Sequence, residues 1–146
     1  NLSHLGFSLL ILSILFNNIF SSEVITNLKV GEKFNNEKFQ IIFNDLKKFE
    51  EKNYISFKGY FLIKENGIED KLEPELRVYN QPNIITSEAD IKTTFLSDKF
   101  ITMNTVQNEE YFNIRYQVKP FIFWIWFSVL LISLGGVISL VNRKSK

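Results

Sequence analysis

The sequence predicts a membrane-protein fragment in which two transmembrane α-helices flank a small, mostly antiparallel β domain of sandwich or barrel-like form. Three observations lead there. Residues Leu2–Ser22 contain no Asp, Glu, Lys or Arg, and neither do residues Phe121–Val141. Between these apolar runs, hydrophobic and polar residues alternate with a period of two, the pattern of strands with one buried face. All 16 acidic residues and 14 of the 17 basic ones fall in that central stretch.

Residues 1–22 form the first predicted span, carrying His4, the single histidine of the chain. At about 1.5 Å per residue, Leu2–Phe20 is just long enough to cross a hydrocarbon core of about 30 Å. Asn17 and Asn18 suit a membrane interface better than a bilayer centre. No basic residue precedes the run and no clear small-residue cleavage site follows, so it makes a poor signal peptide. Residues 23–119 read as strands. "EVITNLKV" places Val24, Thr26, Leu28 and Val30 on one face. In "YISFKGYFLIK", Ile55, Phe57, Phe61 and Ile63 oppose Ser56, Lys58, Tyr60 and Lys64. In "EYFNIRYQVK", Phe112, Ile114, Tyr116 and Val118 oppose Asn113, Arg115, Gln117 and Lys119. "KFQIIF" and "LEPELRVYN" are shorter candidates. Gly31 and Asn66-Gly67 punctuate these runs as turns. "SEADIKTTFLSDKF" is the least regular part, expected to hold a helical turn or an ordered loop.

Residues 120–141 form the second span, with Pro120 expected at the first helical position, where a missing N–H costs nothing. Trp124 and Trp126 are placed for an outer membrane interface, and Gly135-Gly136 for close approach of a neighbouring helix. The tail 142–146 carries Arg143, Lys144 and Lys146 with no acid, which puts it on the cytoplasmic or matrix side. The β domain then faces the periplasm or the intermembrane space. Its near-neutral charge argues against nucleic-acid binding, which needs a clustered basic face.

Chemistry-bearing motifs are few. The chain has no cysteine, which removes disulfides, thiolate metal sites and a thiol nucleophile. GxSxG and P-loop patterns are absent, and with its one histidine in a membrane span the β domain cannot build a Ser-His-Asp triad. The acidic pairs Glu50-Glu51, Glu69-Asp70 and Glu88/Asp90 read as solvated charges. His4 stands apart. An ionisable residue in a membrane helix is costly and usually faces other protein. Imidazole binds a metal through one nitrogen, and haem iron in a helical bundle takes two such ligands from different helices. A polar residue at the end of the segment, bonded to a neighbouring helix or to headgroups, fits the same residue. Both readings stand on the residues alone.

Three blocks add a resemblance. "YQVKPFIFWIWFSVLLISLGGVISLVNRK", "LRVYNQPNIITSEADIKTTFLSDKF" and "LSHLGFSLLILSI" resemble, in order, the C-terminal region of the CcmF family, the haem-lyase subunit of the System I cytochrome c maturation machinery. The resemblance implies a part in covalent attachment of haem to apocytochrome c through thioether bonds. It implies a membrane haem b held between two helix-borne histidines, with His4 in "SHLG" matching one of them as an axial ligand to the haem iron. Implied partners are the remainder of the haem lyase, a CcmE-like haem chaperone, CcmH/CcmI-like apocytochrome-handling subunits and apocytochrome c. The implied location is a bacterial or mitochondrial inner membrane. The family's tryptophan-rich haem-handling motif, its external histidines and the partner membrane histidine have no counterpart in these residues; "FWIWF" is a membrane-interface segment and not that motif. On this reading the chain is not catalytic alone. The alternative is a single-pass type I membrane protein with a cleaved signal and an external β-sandwich binding domain, with a mature N-terminus near Ser22.

Overall fold

The computed structural model describes residues 2–65, 67–106 and 110–144. They form two compact units, one built from Asn1–Ser22, Thr93–Asp98 and Val118–Lys146, the other from Glu23–Lys92 and Lys99–Gln117. The first holds the helices α1 (Leu2–Phe20) and α2 (Ile122–Lys144). Both are long and apolar enough to cross a membrane, and each buries only 11% of its apolar window within the chain, unlike the core helix of a globular protein. An apolar setting requires every backbone group to be satisfied inside the helix. The hydroxyls follow the same rule: Ser8, Ser13, Ser128 and Ser133 each donate to the carbonyl four residues earlier.

The strands are β1 (Ser22–Leu28), β2 (Lys33–Asn35), β3 (Phe39–Glu50), β4 (Tyr54–Glu65), β5 (Ile68–Leu72), β6 (Glu75–Tyr79), β7 (Ile84–Glu88), β8 (Asp90–Thr93), β9 (Ser97–Thr105) and β10 (Phe112–Pro120). They make a four-stranded sheet, β1-β10-β9-β8, and a second sheet, β2-β3-β4-β6-β7, with β5 also paired to β4. All registered pairs of the second sheet are antiparallel. The sheets face each other. Phe39 meets Tyr116 edge-on at 4.9 Å, and Phe43 meets Phe112 edge-on at 5.8 Å. Ile41, Ile63, Leu72, Ile101, Met103 and Ile114 complete a dry core, each at most 1% exposed. Burial at this depth contributes roughly 1.5–3 kcal/mol per side chain. Gly59 is required there, because a Cβ would lie 2.7 Å from the Phe61 ring and 3.0 Å from Met103 Sδ.

The expected alternation holds in β1, in β10 and in the second half of β4, with Leu28, Phe61, Ile63, Ile114 and Tyr116 facing in. Ser56, expected on the outward face of β4, is instead buried, with its hydroxyl donating to Glu75 Oε2 at 3.3 Å. Val30 departs from it: β1 ends at Leu28, and Val30 lies exposed in the turn that Gly31 closes at φ +89°. Part of the Asn66-Gly67 turn, Asn66, lies outside the described residues; Gly67 has φ +78° between the paired Glu65 and Ile68. "SEADIKTTFLSDKF" is neither helical nor irregular. It supplies the end of β7, all of β8 and the start of β9, with a hairpin closed by Thr94 N–H on Ser97 O at 2.9 Å. Pro120 is not the first helical residue either. It ends β10, and Phe121 follows in a left-handed conformation (φ 63°) before α2 begins at Ile122. A bulky residue there is strained by about 1–2 kcal/mol. The N–H of Phe121 donates to Leu96 O at 2.8 Å, its carbonyl accepts from Ile125 N–H at 3.1 Å, and its ring packs 5.4 Å from Phe16. The basic tail joins α2 as far as Lys144; residues 145 and 146 lie outside the described residues.

Candidate functional site

α1 and α2 pair antiparallel through small residues. Ser3 lies against Gly135, Gly6 against Ile132, and the Asn17 amide donates to Pro120 O at 2.5 Å. A Cβ on Gly6 would sit 2.9 Å from the Ile132 backbone nitrogen, and one on Gly135 would collide with the Ser3 hydroxyl. Ser13 and Ser128, at 3% and 0% exposure, are buried in this pair with their hydroxyls satisfied by their own helices. Lacking a hydrophobic drive in lipid, such close backbone packing is what holds two helices together. The pairing expected of Gly135-Gly136 is thus met at Gly135 by α1, while Gly136 faces open space.

This seam positions His4. With Ser3 and Gly6 turned into the pair, His4 is exposed on α1 and lines, with Ser3, Gly135, Ile138, Ser139 and Asn142, a cleft of about 390 Å³. The imidazole makes no hydrogen bond among the described residues; Ser8 donates to the backbone carbonyl of His4 at 3.0 Å. Among the described residues no group of three or more His, Cys, Asp or Glu gathers as a metal site. The chain therefore offers one nitrogen ligand, on the open side of a helix pair.

A second cluster went unnoticed in the sequence. Asp70 on β5 is 4% exposed and receives Lys92 Nζ at 2.6 Å and Lys99 Nζ at 2.9 Å; Lys99 also reaches Glu65 at 2.6 Å. Asp70 is thus a correction to the reading of Glu69-Asp70 as solvated, since it shares the inward face of β5 with Leu72. Lys99 likewise shares the inward parity of Ile101 and Met103 on β9. The cluster joins β4 and β5 of one sheet to β8 and β9 of the other. Burial pushes the Asp70 carboxyl up, and its bonds to Lys92 and Lys99 overcome this and hold it below the usual range. Burial pulls the Lys99 ammonium down, and the Glu65 and Asp70 carboxylates hold it well above an ordinary lysine. The Tyr116 phenol, pushed up by burial, has no hydrogen-bond partner among the described residues. These four charges balance, so the cluster reads as a clamp between sheets. No sequence signal marks it, because a lysine on an inward position looks like an interruption of the strand pattern.

A sequence model described as the CcmF C-terminal beta-sandwich matches residues 19–120, well over half of the chain. The chain belongs to the CcmF family. Its similarity to CcmF proteins runs beyond the sandwich into both helices. It is 31% identical to the cytochrome c-type biogenesis protein CcmF of Pseudomonas fluorescens over 98% of this chain and 22% of that protein. It is 27% identical to CcmF of Escherichia coli K12 over 97% of this chain and 22% of that one. CycK of Rhizobium meliloti, also a cytochrome c-type biogenesis protein, is 26% identical over 98% of this chain and 21% of its own. This chain spans about a fifth of the length of these CcmF relatives. A solved structure titled cytochrome c heme lyase CcmF shares the fold, with a TM-score of 0.68, 19% identity, and coverage of 93% of this chain and 23% of that one.

Proposed function

We propose that this chain works as the C-terminal portion of a cytochrome c haem lyase, contributing His4 as one axial ligand of a membrane haem b and an external β domain to haem attachment. The observation that supports the site is an exposed lone imidazole on α1 that lines the cleft at the Ser3–Gly135 end of the helix seam. The residues present fit one axial position. His4 is the single imidazole, and Met103, the other candidate donor, is fully buried in the sandwich core. The second ligand then belongs to a helix outside this chain. Haem b held there would supply one-electron chemistry; His4 would fix its position on a helix that Gly6 and Gly135 pack against α2. From His4 to Phe20 the unbroken helix rises about 24 Å, which supports a ligand in the inner half of the bilayer if the basic tail is on the cytoplasmic or matrix side. The β domain then lies in the periplasm or intermembrane space, as a docking scaffold for a CcmE-like chaperone, CcmH/CcmI-like subunits and apocytochrome c.

The test is co-expression of this chain with the remainder of the haem lyase and an apocytochrome c. Haem staining of denatured protein reports covalent attachment. Full-chain protein supports it and His4→Ala lowers it at least tenfold, with partial rescue of His4→Gly by added imidazole. Attachment at the parental level in His4→Ala contradicts the assignment. Recovery of a chain that begins near Ser22 contradicts the whole reading of α1 as a working helix.

A further inference from the structure

We propose that the cleft at the start of α2 is a site for a phospholipid with a primary-ammonium headgroup, of the phosphatidylethanolamine class, with Asp98 receiving the ammonium. The cleft, about 430 Å³, is lined by Thr93 and Asp98 at the β8–β9 hairpin and by Phe123, Trp126, Phe127 and Leu130 on α2. These four helix positions fall at i, i+3, i+4 and i+7, a single apolar face. At the hairpin end stands a group of the opposite character. Asp98 is 7% exposed, and its Oδ1 has no hydrogen-bond partner among the described residues. A buried carboxylate oxygen without a donor is costly, and a bound cation carrying N–H groups removes that cost. An acyl chain along the aromatic face and an ammonium at Asp98 satisfy both ends of the cleft together.

The side chains favour lipid over a partner helix. Membrane helices approach one another through small residues, as α1 and α2 do at Gly6 and Gly135. The cleft face is bulky instead, with Trp126 69% exposed, and the neighbouring hairpin adds Phe95, edge-on to Trp124 at 4.8 Å and itself 57% exposed. Exposed indole and phenyl groups beside a polar group match the headgroup level of a bilayer. Headgroup chemistry then sets the preference. Phosphatidylcholine has the positive charge without an N–H, and phosphatidylglycerol brings a negative charge toward a carboxylate.

Native mass spectrometry tests this on the assembled membrane protein carrying this chain, extracted from vesicles of equal phosphatidylethanolamine and phosphatidylcholine. Parental protein is expected to retain one phosphatidylethanolamine over phosphatidylcholine by about tenfold, the scale of one charge-assisted bond. Asp98→Asn removes that preference. Leu130→Trp, which fills the cleft from the helix side and leaves Asp98 intact, removes the bound lipid and decides the matter where Asp98→Asn fails to assemble. Equal retention of the two lipids by parental protein, an unchanged preference in Asp98→Asn, or an unchanged lipid count in Leu130→Trp overturns the proposal. So does a photo-crosslinker at position 127 that captures protein in place of lipid.

Discussion

Lys99 shows how one side chain couples two sheets. It is 8% exposed, and its ammonium answers both Glu65 and Asp70. Lys99→Ala takes the lysine from Glu65 and leaves Asp70 with Lys92 alone, and is expected to cost about 3 kcal/mol. Lys92, whose side chain is 45% exposed, is expected to cost less than about 1 kcal/mol on truncation. Urea unfolding in detergent micelles, followed by near-ultraviolet circular dichroism, separates the two. Tyr116→Phe goes the other way, because removing a buried hydroxyl without a partner is neutral or stabilising by about 1 kcal/mol. The pH dependence follows from the directions of the shifts. Asp70 is depressed in the fold, so its contribution is full above the ordinary carboxyl value, about 3.9, and is lost as pH falls toward its folded value. Lys99 is raised, so its contribution is full below about 10.4 and is lost as pH rises toward its folded value. A flat stability plateau between these limits is expected, with the acid-side loss reduced in Asp70→Asn.

At the scale of the element, the helix pair depends on Gly6, whose added Cβ would press on the Ile132 backbone and could not be relieved by a side-chain rotation. Gly6→Leu is expected to overpack the seam by about 1–3 kcal/mol. The yield of photo-crosslinking to α2 from a probe at position 16, whose ring packs 5.4 Å from that of Phe121, would then fall at least fivefold, by about the factor that range implies. An unchanged yield would show that the glycine is not what joins the helices. The elements also divide by legibility. β1, β10 and the second half of β4 were readable because their inward residues are apolar at a period of two. β5, β8 and β9 were not, because Asp70, Lys92 and Lys99 occupy them, and ion pairs replace apolar contacts where the sheets join. Pro120 misled for a different reason. Its fixed φ suits a strand end as well as a helix start, and only the bond from Phe121 to Leu96 decides between them.

Over the whole molecule, two apolar spans and a charged β domain were legible in the distribution of charge, and membership of the CcmF family in three short blocks spread along the chain. His4 was legible as a candidate because it is the one histidine and sits in an apolar run. Asp98 was not, because its burial arises from an aspartate on a hairpin meeting an aromatic helix face that lies some 25 residues later in the chain. His4 is proposed to hold one side of a membrane haem b. The most direct test is the reduced-minus-oxidised optical spectrum of this chain purified with the remainder of the haem lyase. A b-type spectrum that His4→Ala abolishes while the protein still assembles is expected; the same spectrum in the parental and His4→Ala proteins would rule out His4 as a ligand.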